Sequence, residues 1–420
     1  MPPEVRVATQ EDVPRVVEII VGAYGLDDKP EKRKQQVGVV HSEYPHFLVL
    51  EDEGRIVSTL RLRPDRLQIG KATIIKGELG HVGTDPELQG RGYATALMNG
   101  AIDFMLDNGF HCTRLGGLMH FYSRFGYEPF IRRYVEFPIR PEGIKGLSWD
   151  DMYGMGPELD TCVRPYDPSR DYAGVHALRR EFNAGRPGCA AIAEEPGPAP
   201  EAGPNPGALE FVYEVNGIVR GYLRGHVGPV ASGDPPSHNI DDLAVSHDHP
   251  EAVEALVKTV LREARRDEPV VVTARLPYEE WLFEALTAGN IYFNVVEWRT
   301  AVDGNMMRVV DLQALFGELV DELTARLQAA PTPAWEGSIE FLLPGVGGSF
   351  NIEEGRINAN PNRIPDASID TSHASLLKWI FGVSGFAEHP LYSDESIAVE
   401  ARQMLAALFP RTACCSGPWG

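Results

Sequence analysis

The sequence predicts an α+β fold in three parts, and three observations lead to it. In the first third, a strand, a glycine-rich turn, a helix and a second strand follow one another within about 40 residues, the order of a β-α-β unit. In the middle third, the order of hairpin, strand, helix and strand returns. In the last third, a long amphipathic helix precedes short strands and two further helices. We therefore expect domains at 1–150, 151–300 and 301–420.

The first domain begins with a short strand and an N-capped helix. Thr9 and Asp12 have the spacing of an N-cap followed by an acidic residue three positions later. Valine and isoleucine side chains then recur at helical spacing from Val13 to Ile20. Two apolar runs within residues 46–62 predict a β-hairpin after this helix.

A longer strand and a second helix complete the β-α-β unit. Residues 73–84 predict the strand. Apolar side chains between Ala94 and Met105 share one face of the helix, and Asn108 with Gly109 ends it.

The second domain repeats this order after an irregular segment. Residues 184–209 are rich in proline and glycine and predict a mobile surface loop. A hairpin over 210–225, a strand over 239–245 and a helix over 253–261 follow. We interpret this order as a structural repeat whose sequence has diverged.

The third domain starts near Met306 with an amphipathic helix. Its apolar residues recur at helical spacing between Leu312 and Leu327. The strands and helices predicted after it cover 338–343, 348–352, 356–359, 372–381 and 395–408.

The charge balance narrows the classes of partner. The chain has 60 acidic and 39 basic residues, a net charge of -21. Such a surface disfavours nucleic acids and anionic membranes and attracts cations. We find neither a signal peptide pattern nor an apolar run long enough to cross a bilayer. The five cysteines show no metal-ligand spacing, and we expect reduced thiols, a cytoplasmic location and no metal.

The glycine-rich turn from Gln89 to Ala94 predicts a phosphate site. Gly90 and Gly92 stand at the first turn of a helix, where unpaired backbone N–H groups and the helix dipole favour a pyrophosphate. The dinucleotide fingerprint GxGxxG and the Walker pattern GxxxxGK[ST] are both absent, which argues against a Rossmann cofactor and an ATP loop. The alternative is a turn that only caps the helix.

The segment from Glu78 to Phe130 resembles the GCN5-related N-acetyltransferase (GNAT) superfamily. Its signature (Q/R)xxGx(G/A) after a strand is met by Gln89, Gly92 and Ala94, and residues 121–127 resemble the family's tyrosine helix with its aromatic-Gly-aromatic exit. The resemblance implies acetyl-CoA as co-substrate. The residues implied in binding it are Val82, Gly83 and Thr84 for the acyl and pantetheine part and Gly90, Arg91, Gly92, Tyr93, Ala94 and Thr95 for the pyrophosphate.

The order of domains resembles the enhanced intracellular survival (Eis) acetyltransferases. The resemblance implies tandem GNAT domains, the second degenerate, followed by a sterol-carrier-protein-like α+β domain. The second copy has no glycine where the signature would recur, at 244–257, so we expect no second acyl-CoA site. Members of the group acetylate amines such as aminoglycosides, and some are hexamers. The resemblance therefore implies a homo-oligomer here.

Catalysis needs an acid for the leaving thiolate and a base for the amine. The resemblance assigns the acid to Tyr122, with a core tyrosine as the alternative. It assigns the base to the terminal carboxylate of Gly420, although this tail lacks the aromatic ending of the group and a frayed terminus is the alternative. Glu78 and His81 are reserve bases. Strand alternation predicts Glu78 on the face of Val82, with His81 opposite, and favours Glu78.

These predictions combine into an N-acetyltransferase that acts on a small cationic amine. The amine would be aminoglycoside-like, a polyamine or a lysine side chain, and it would attack acetyl-CoA directly in a ternary complex. The alternative is a protein that binds acyl-CoA or an apolar ligand as a sensor, without turnover.

Overall fold

The computed structural model describes residues 3–140, 143, 146–199, 208–227, 238–265, 269–299, 302–330, 335–359 and 364–414. They form two compact units. The first comprises Met1–Phe130 and Arg299–Thr412, and the second is built on Ile131–Trp298.

The helices and strands follow three stretches of the chain. The first stretch holds β1 (Glu4–Val7), α1 (Val13–Ala23), α2 (Pro30–Glu43), β2 (Phe47–Asp52), β3 (Arg55–Ile69), β4 (Ala72–Thr84), α3 (Tyr93–Asp107), β5 (Cys112–Leu118), α4 (Met119–Tyr122) and β6 (Glu128–Pro129). The second holds β7 (Arg132–Ile139), α5 (Trp149–Tyr153), α6 (Pro157–Asp160), β8 (Val163–Pro165), α7 (Pro168–Asn183), β9 (Ala208–Val215), β10 (Ile218–Val227), β11 (His238–Val245), α8 (Glu251–Glu263), β12 (Val270–Ala274), α9 (Glu280–Ala288) and β13 (Asn294–Trp298). The third holds β14 (Asp303–Val309), α10 (Leu312–Ala329), β15 (Gly337–Leu343), β16 (Val346–Glu353), β17 (Arg356–Asn358), β18 (Ala367–Asp370), α11 (His373–Ile380) and α12 (Val399–Leu408).

Most elements with a clear apolar period lie where the sequence predicts them. Helices α1, α3, α8, α10, α11 and α12 and both hairpins, β2–β3 and β9–β10, confirm the predictions. Helix α2 is an addition, because only Val40 of its side chains is buried and no apolar stripe marks it. Pro30 at its first position is the one sequence signal of its start.

The first unit contains a seven-stranded sheet that takes one strand from far along the chain. Its order is β1-β2-β3-β4-β5-β14-β6, so β14 lies between two strands of the first stretch. Residue Val309 of β14 pairs with Cys112 of β5, and Asp303 pairs with Leu118. Strand β14 therefore covers the full length of β5.

The second unit repeats this order of strands, and its described strands all come from its own stretch. Its order is β8-β9-β10-β11-β12-β7-β13, in which β7 holds the place of β14. The pair β11–β12 is parallel, like β4–β5, and β7 is antiparallel to β12. These matching orders confirm the predicted structural repeat. The division into 1–150, 151–300 and 301–420 stays a prediction.

The last stretch of the chain adds a four-stranded sheet of order β17-β16-β15-β18. Helix α10 packs on this sheet through Phe316, whose ring lies 5.2 Å from the ring of Phe341 and 5.1 Å from that of Phe350. All three side chains are fully buried. The apolar face of α10 is thus used within the core.

The described cysteines differ in their bonding. Cys112, Cys162 and Cys414 are not disulfide-bonded, but Cys189 is. The prediction of reduced thiols is therefore wrong for Cys189, because spacing along the sequence does not report proximity in the fold. Within the described ranges, no helix has the length and apolar character needed to span a membrane.

Candidate active site

The site begins where strands β4 and β5 diverge. Their parallel ladder runs from Lys76 paired with Cys112 to Leu79 paired with Leu115, and it ends there. Strand β4 continues to Thr84 beside β3 alone. The edge of residues 80–84 that faces away from β3 therefore has no β5 backbone to pair with, which leaves a place where an added strand could pair. Val82, Gly83 and Thr84 lie on this edge.

A β-bulge in the open part of β4 changes which side chains share a face. Between the pairs Thr59–Gly83 and Arg61–Gly80, two residues of β4 face one residue of β3. The first of the two, His81, has a left-handed φ of 51°. Such an insertion reverses the alternation of faces along the strand.

The bulge corrects the predicted faces of Glu78 and Val82. Val82 packs, together with Leu79, on the core beneath α3, so it lies on the face opposite Glu78. The ring of His81 lies on the other side, 5.9 Å from the ring of Phe47 in the core beneath α1. The prediction that Glu78 and Val82 share a face was wrong because alternation cannot anticipate a bulge.

The glycine-rich turn leads directly into the start of α3. Gly90 and Gly92 have φ values of 80° and 86°, a backbone conformation that favours glycine. The N–H of Ala96 donates to the carbonyl of Gly92 at 3.0 Å. The preceding N–H groups of Tyr93, Ala94 and Thr95 stand at the helix start, where no helical carbonyl is available to accept from them. Together with the helix dipole, such N–H groups favour a bound anion.

Two contacts hold this turn against the sheet. The phenol of Tyr93 donates to Asp52 at 2.6 Å, which ties α3 to the end of β2. Asp85, which follows β4, is buried and accepts hydrogen bonds from Arg15, from Arg55 at 2.7 Å and from the N–H of Glu87 at 3.0 Å. Burial alone would raise the pKa of Asp85, but these hydrogen bonds and charges hold it below its ordinary value.

Tyr122 ends the short helix α4 and faces the end of β5. Its ring lies so close to Gly117 that a Cβ there would come within 2.7 Å of Cε2. Burial, with a smaller contribution from the phenol of Tyr24, raises the pKa of Tyr122 to about 12. In the described part of the chain, its hydroxyl has no hydrogen bond to another residue. Tyr122 is thus a protonated phenol with a free proton, unlike a core tyrosine bonded to a carbonyl.

Glu78 lies in the paired part of β4, before the strands diverge. Its carboxylate contacts the Nζ of Lys76 at 2.9 Å and forms a closer ion pair with Arg114 of β5. Lys76 itself is fully buried and also contacts Asp65 at 3.1 Å. Glu78 is therefore part of a charge network within the sheet, and a proton from a substrate would have to compete with two cations.

One core cluster supports the parts of this site. Val82, Tyr93 and Tyr122 all pack against the buried side chains around Leu97 and Met98.

Gly420, the predicted base, lies outside the described residues. Of the residues that the structure does describe, no group of three or more His, Cys, Asp or Glu could hold a metal ion.

Sequence reasoning did not find two residues that lie beside His81. Tyr24, just past α1, lies with its ring 6.4 Å from that of His81, and Gln36 of α2 bonds the ring of His81. No motif marks either residue. The helix that carries Gln36 was itself not predicted, since its side chains are mostly exposed.

Comparison with known proteins agrees with this geometry. Residues 4–130 match the family described as acetyltransferase (GNAT) domain. This match confirms the predicted resemblance and the predicted acetyltransferase domain. No curated protein matches the chain by sequence.

Solved structures resemble the whole chain. A probable N-acyltransferase from Enterococcus faecalis has a TM-score of 0.66 at 12% identity, covering 98% of this chain and 97% of its own. A GCN5-related N-acetyltransferase from Kribbella flavida has a TM-score of 0.62 at 16% identity, with 98% and 97% covered. Eis1 from Mycobacterium abscessus has a TM-score of 0.56 at 17% identity, with 98% of both chains covered. At these identities the likeness concerns the fold, and it confirms the predicted fold class.

Proposed function

Because residues 4–130 form a GNAT acetyltransferase domain, we propose that the chain transfers the acetyl group of acetyl-CoA to a small cationic amine. The observation that carries this proposal is the open edge of β4 beside the protonated phenol of Tyr122. The amides of the pantetheine arm would pair with the edge at Val82, Gly83 and Thr84, as an added strand pairs with a sheet. The pyrophosphate would lie at the N-terminus of α3.

The reaction is a direct attack in a ternary complex. The ammonium group of the substrate first gives one proton to solvent, and the neutral nitrogen then attacks the thioester carbonyl and loses a second proton as the carbon–sulfur bond breaks and the amide forms. The sulfur leaves with a proton from Tyr122, whose raised pKa keeps the phenol protonated until a thiolate develops beside it. Cys112 does not suit a ping-pong route, since it is fully buried and burial raises the pKa of its thiol to about 12.

The cationic substrate class rests on charge. A net charge of -21 attracts polyamines, aminoglycoside-like compounds and lysine side chains. Removal of Trp419 and Gly420 tests whether the terminal carboxylate serves as the base. Full turnover after this deletion would exclude it.

We propose a structural role for the sterol-carrier-like part. Its core consumes the apolar face of α10, and the cavity of about 830 Å³ beside that helix is lined by Glu353, Glu354 and Arg356 among other residues. Such a lining suits an apolar ligand poorly. Homo-oligomerisation is a proposal that follows from the Eis resemblance.

The test is consumption of acetyl-CoA by the purified full chain against a panel of amines. The panel includes an aminoglycoside, a polyamine, a lysine peptide and an uncharged aromatic amine, and CoA is followed by chromatography. We expect turnover with cationic members. Saturable binding of acetyl-CoA without any turnover would favour the sensor alternative. The absence of both binding and turnover would refute the proposal.

The Tyr122→Phe variant then tests the acid. We expect kcat to fall by about 100-fold or more, with unchanged affinity for acetyl-CoA, because only the proton donor is lost. Tyr44→Phe is the matched control, since Tyr44 packs on the separate core beneath α1. Equal kcat values for the two variants would remove Tyr122 from the mechanism.

A further inference from the structure

The left-handed residue on β4 has a geometry that the mechanism above does not use. His81 is the extra residue of the bulge, and its φ of 51° is uncommon outside glycine, although histidine, like asparagine and aspartate, adopts it more often than most residues. Bulges of this kind recur beside active sites, where they redirect a side chain. Here the bulge turns the imidazole towards Tyr24 and away from the core beneath α3.

A hydrogen bond fixes the tautomer of this imidazole. The Nε2 atom of His81 lies against Oε1 of Gln36, and in this orientation of the amide Nε2 is the donor and carries the hydrogen. In the neutral ring, Nδ1 then holds the free lone pair and can accept a proton. Gln36 belongs to α2, and its contact holds the ring orientation as well as the tautomer.

The surroundings keep the ring neutral. Burial and, to a smaller extent, the positive charge of Arg61 together lower the pKa of His81 to about 4, against the opposing effect of Glu43. Arg61 of β3 and Glu43 of α2 are themselves paired at 3.2 Å, which moderates both charges. Tyr24 also lies beside the ring.

His81 also lies on the part of β4 that does not pair with β5. It belongs to the segment of β4 beyond Leu79, where the edge is open, whereas Glu78 precedes the divergence and is held by two cations. Tyr24 lies beside His81, and its phenol also acts electrostatically on Tyr122. Tyr24 therefore interacts with both groups, with the imidazole of His81 by ring contact and with the phenol of Tyr122 through its charge.

We propose that Nδ1 of His81 accepts the proton that the attacking amine loses. As the nitrogen bonds to the thioester carbonyl carbon, its N–H becomes far more acidic than in the free ammonium ion, so a weak base is sufficient. The proton passes from nitrogen to Nδ1, the carbon–sulfur bond breaks, and the sulfur takes the proton of Tyr122. Transfer of a proton from the imidazolium to the phenolate, through solvent, restores both groups. This inference rests on the proposed acetyltransferase function.

The variant His81→Asn tests it, because asparagine tolerates a left-handed φ and cannot act as this base. We expect kcat to fall by about 100-fold, the affinity for acetyl-CoA measured by calorimetry to stay unchanged, and added imidazole to restore part of the rate. The matched control is His41→Asn, at an exposed histidine of α2, with turnover equal to that of the wild type. The wild type must turn over with an amine of the panel, and failure there refutes the proposed function instead.

Two results would overturn the assignment. A kcat of His81→Asn within threefold of the wild type, or a loss that imidazole does not restore, would exclude His81 as the proton acceptor. A second measurement is independent of that variant's folding. The ¹⁵N shifts of the His81 ring in wild-type protein, assigned through Gln36→Leu, should show a protonated Nε2 and a bare Nδ1 at pH 7. A doubly protonated ring, or a proton on Nδ1, would contradict the proposal.

Discussion

Replacing Gly117 by alanine should displace Tyr122 without removing any functional group. The two residues meet at the end of β5, where the Cβ of an alanine would lie 2.7 Å from Cε2 of the Tyr122 ring. Ordinary van der Waals contact begins near 3.4 Å, so the ring must move by about 0.7 Å, the difference between these two distances. The hydroxyl at the far end of the ring moves with it.

The expected cost follows from this displacement. A misplacement of about 1 Å can cost a reaction ~100-fold in rate, so a shift of about 0.7 Å should lower kcat by roughly 25-fold when the activation free energy scales with the shift. This factor corresponds to about 1.9 kcal/mol in the activation free energy. Affinity for acetyl-CoA should change little, since the start of α3 and the edge of β4 are untouched.

The assay is steady-state turnover with a saturating amine, beside calorimetry with acetyl-CoA. Gly116→Ala is the matched control, because a Cβ at this neighbouring position meets nothing closer than 3.9 Å. The double variant Gly117→Ala/Tyr122→Phe should be no slower than Tyr122→Phe alone, since both changes act through one hydroxyl. A kcat of Gly117→Ala within threefold of the control, or fully additive losses in the double variant, would refute this reasoning.

Three further predictions concern the carboxylate of Asp85, the buried thiol of Cys112 and strand β14. Asp85→Asn should lower the melting temperature at pH 7, because Arg15 and Arg55 lose their carboxylate partner. The pKa of Asp85 is lowered in the folded state, so its contribution is present above its unfolded pKa of about 3.9 and fades as the pH falls. The gap between wild type and variant should therefore shrink at pH 3, and a constant gap would contradict this. Incubation with acetyl-CoA alone should leave Cys112 unmodified in a peptide mass spectrum, whereas an acetyl thioester on it would indicate a ping-pong route. A chain ending at Trp298 should not bind acetyl-CoA, and co-expression of residues 299–420 should restore binding; full binding by the shortened chain would show that β14 is dispensable.

The sequence predicts what local periodicity and local motifs can carry. Several features depend only on residues that are close together in the sequence, and the structure places them as expected. They are the apolar stripes of α1 and α3, the turn at Gly92 and the aromatic motif around Tyr122. Both hairpins are local in the same sense. Helix α2 escapes this reasoning because Val40 alone is buried on it.

The remainder depends on pairings that no local pattern reports. The bulge at His81 inserts one residue into an otherwise regular alternation and so places Glu78 and Val82 on opposite faces of the sheet. The ion pairs of Glu78 depend on the register between β4 and β5. Gln36 reaches His81 only because α2 folds back beside β4. These are contacts between residues far apart in sequence, and they decide the chemistry of the cleft.

The insertion of β14 between β5 and β6 also sets an order of events during synthesis. The edge of β5 cannot be covered until residue 309 has left the ribosome, since Val309 is the partner of Cys112. Until then the nascent chain presents an unpaired strand edge, the kind of surface that invites wrong association. Residues 1–130 alone therefore lack one strand of their own sheet, and a contiguous segment that contains the whole sheet must extend to residue 309.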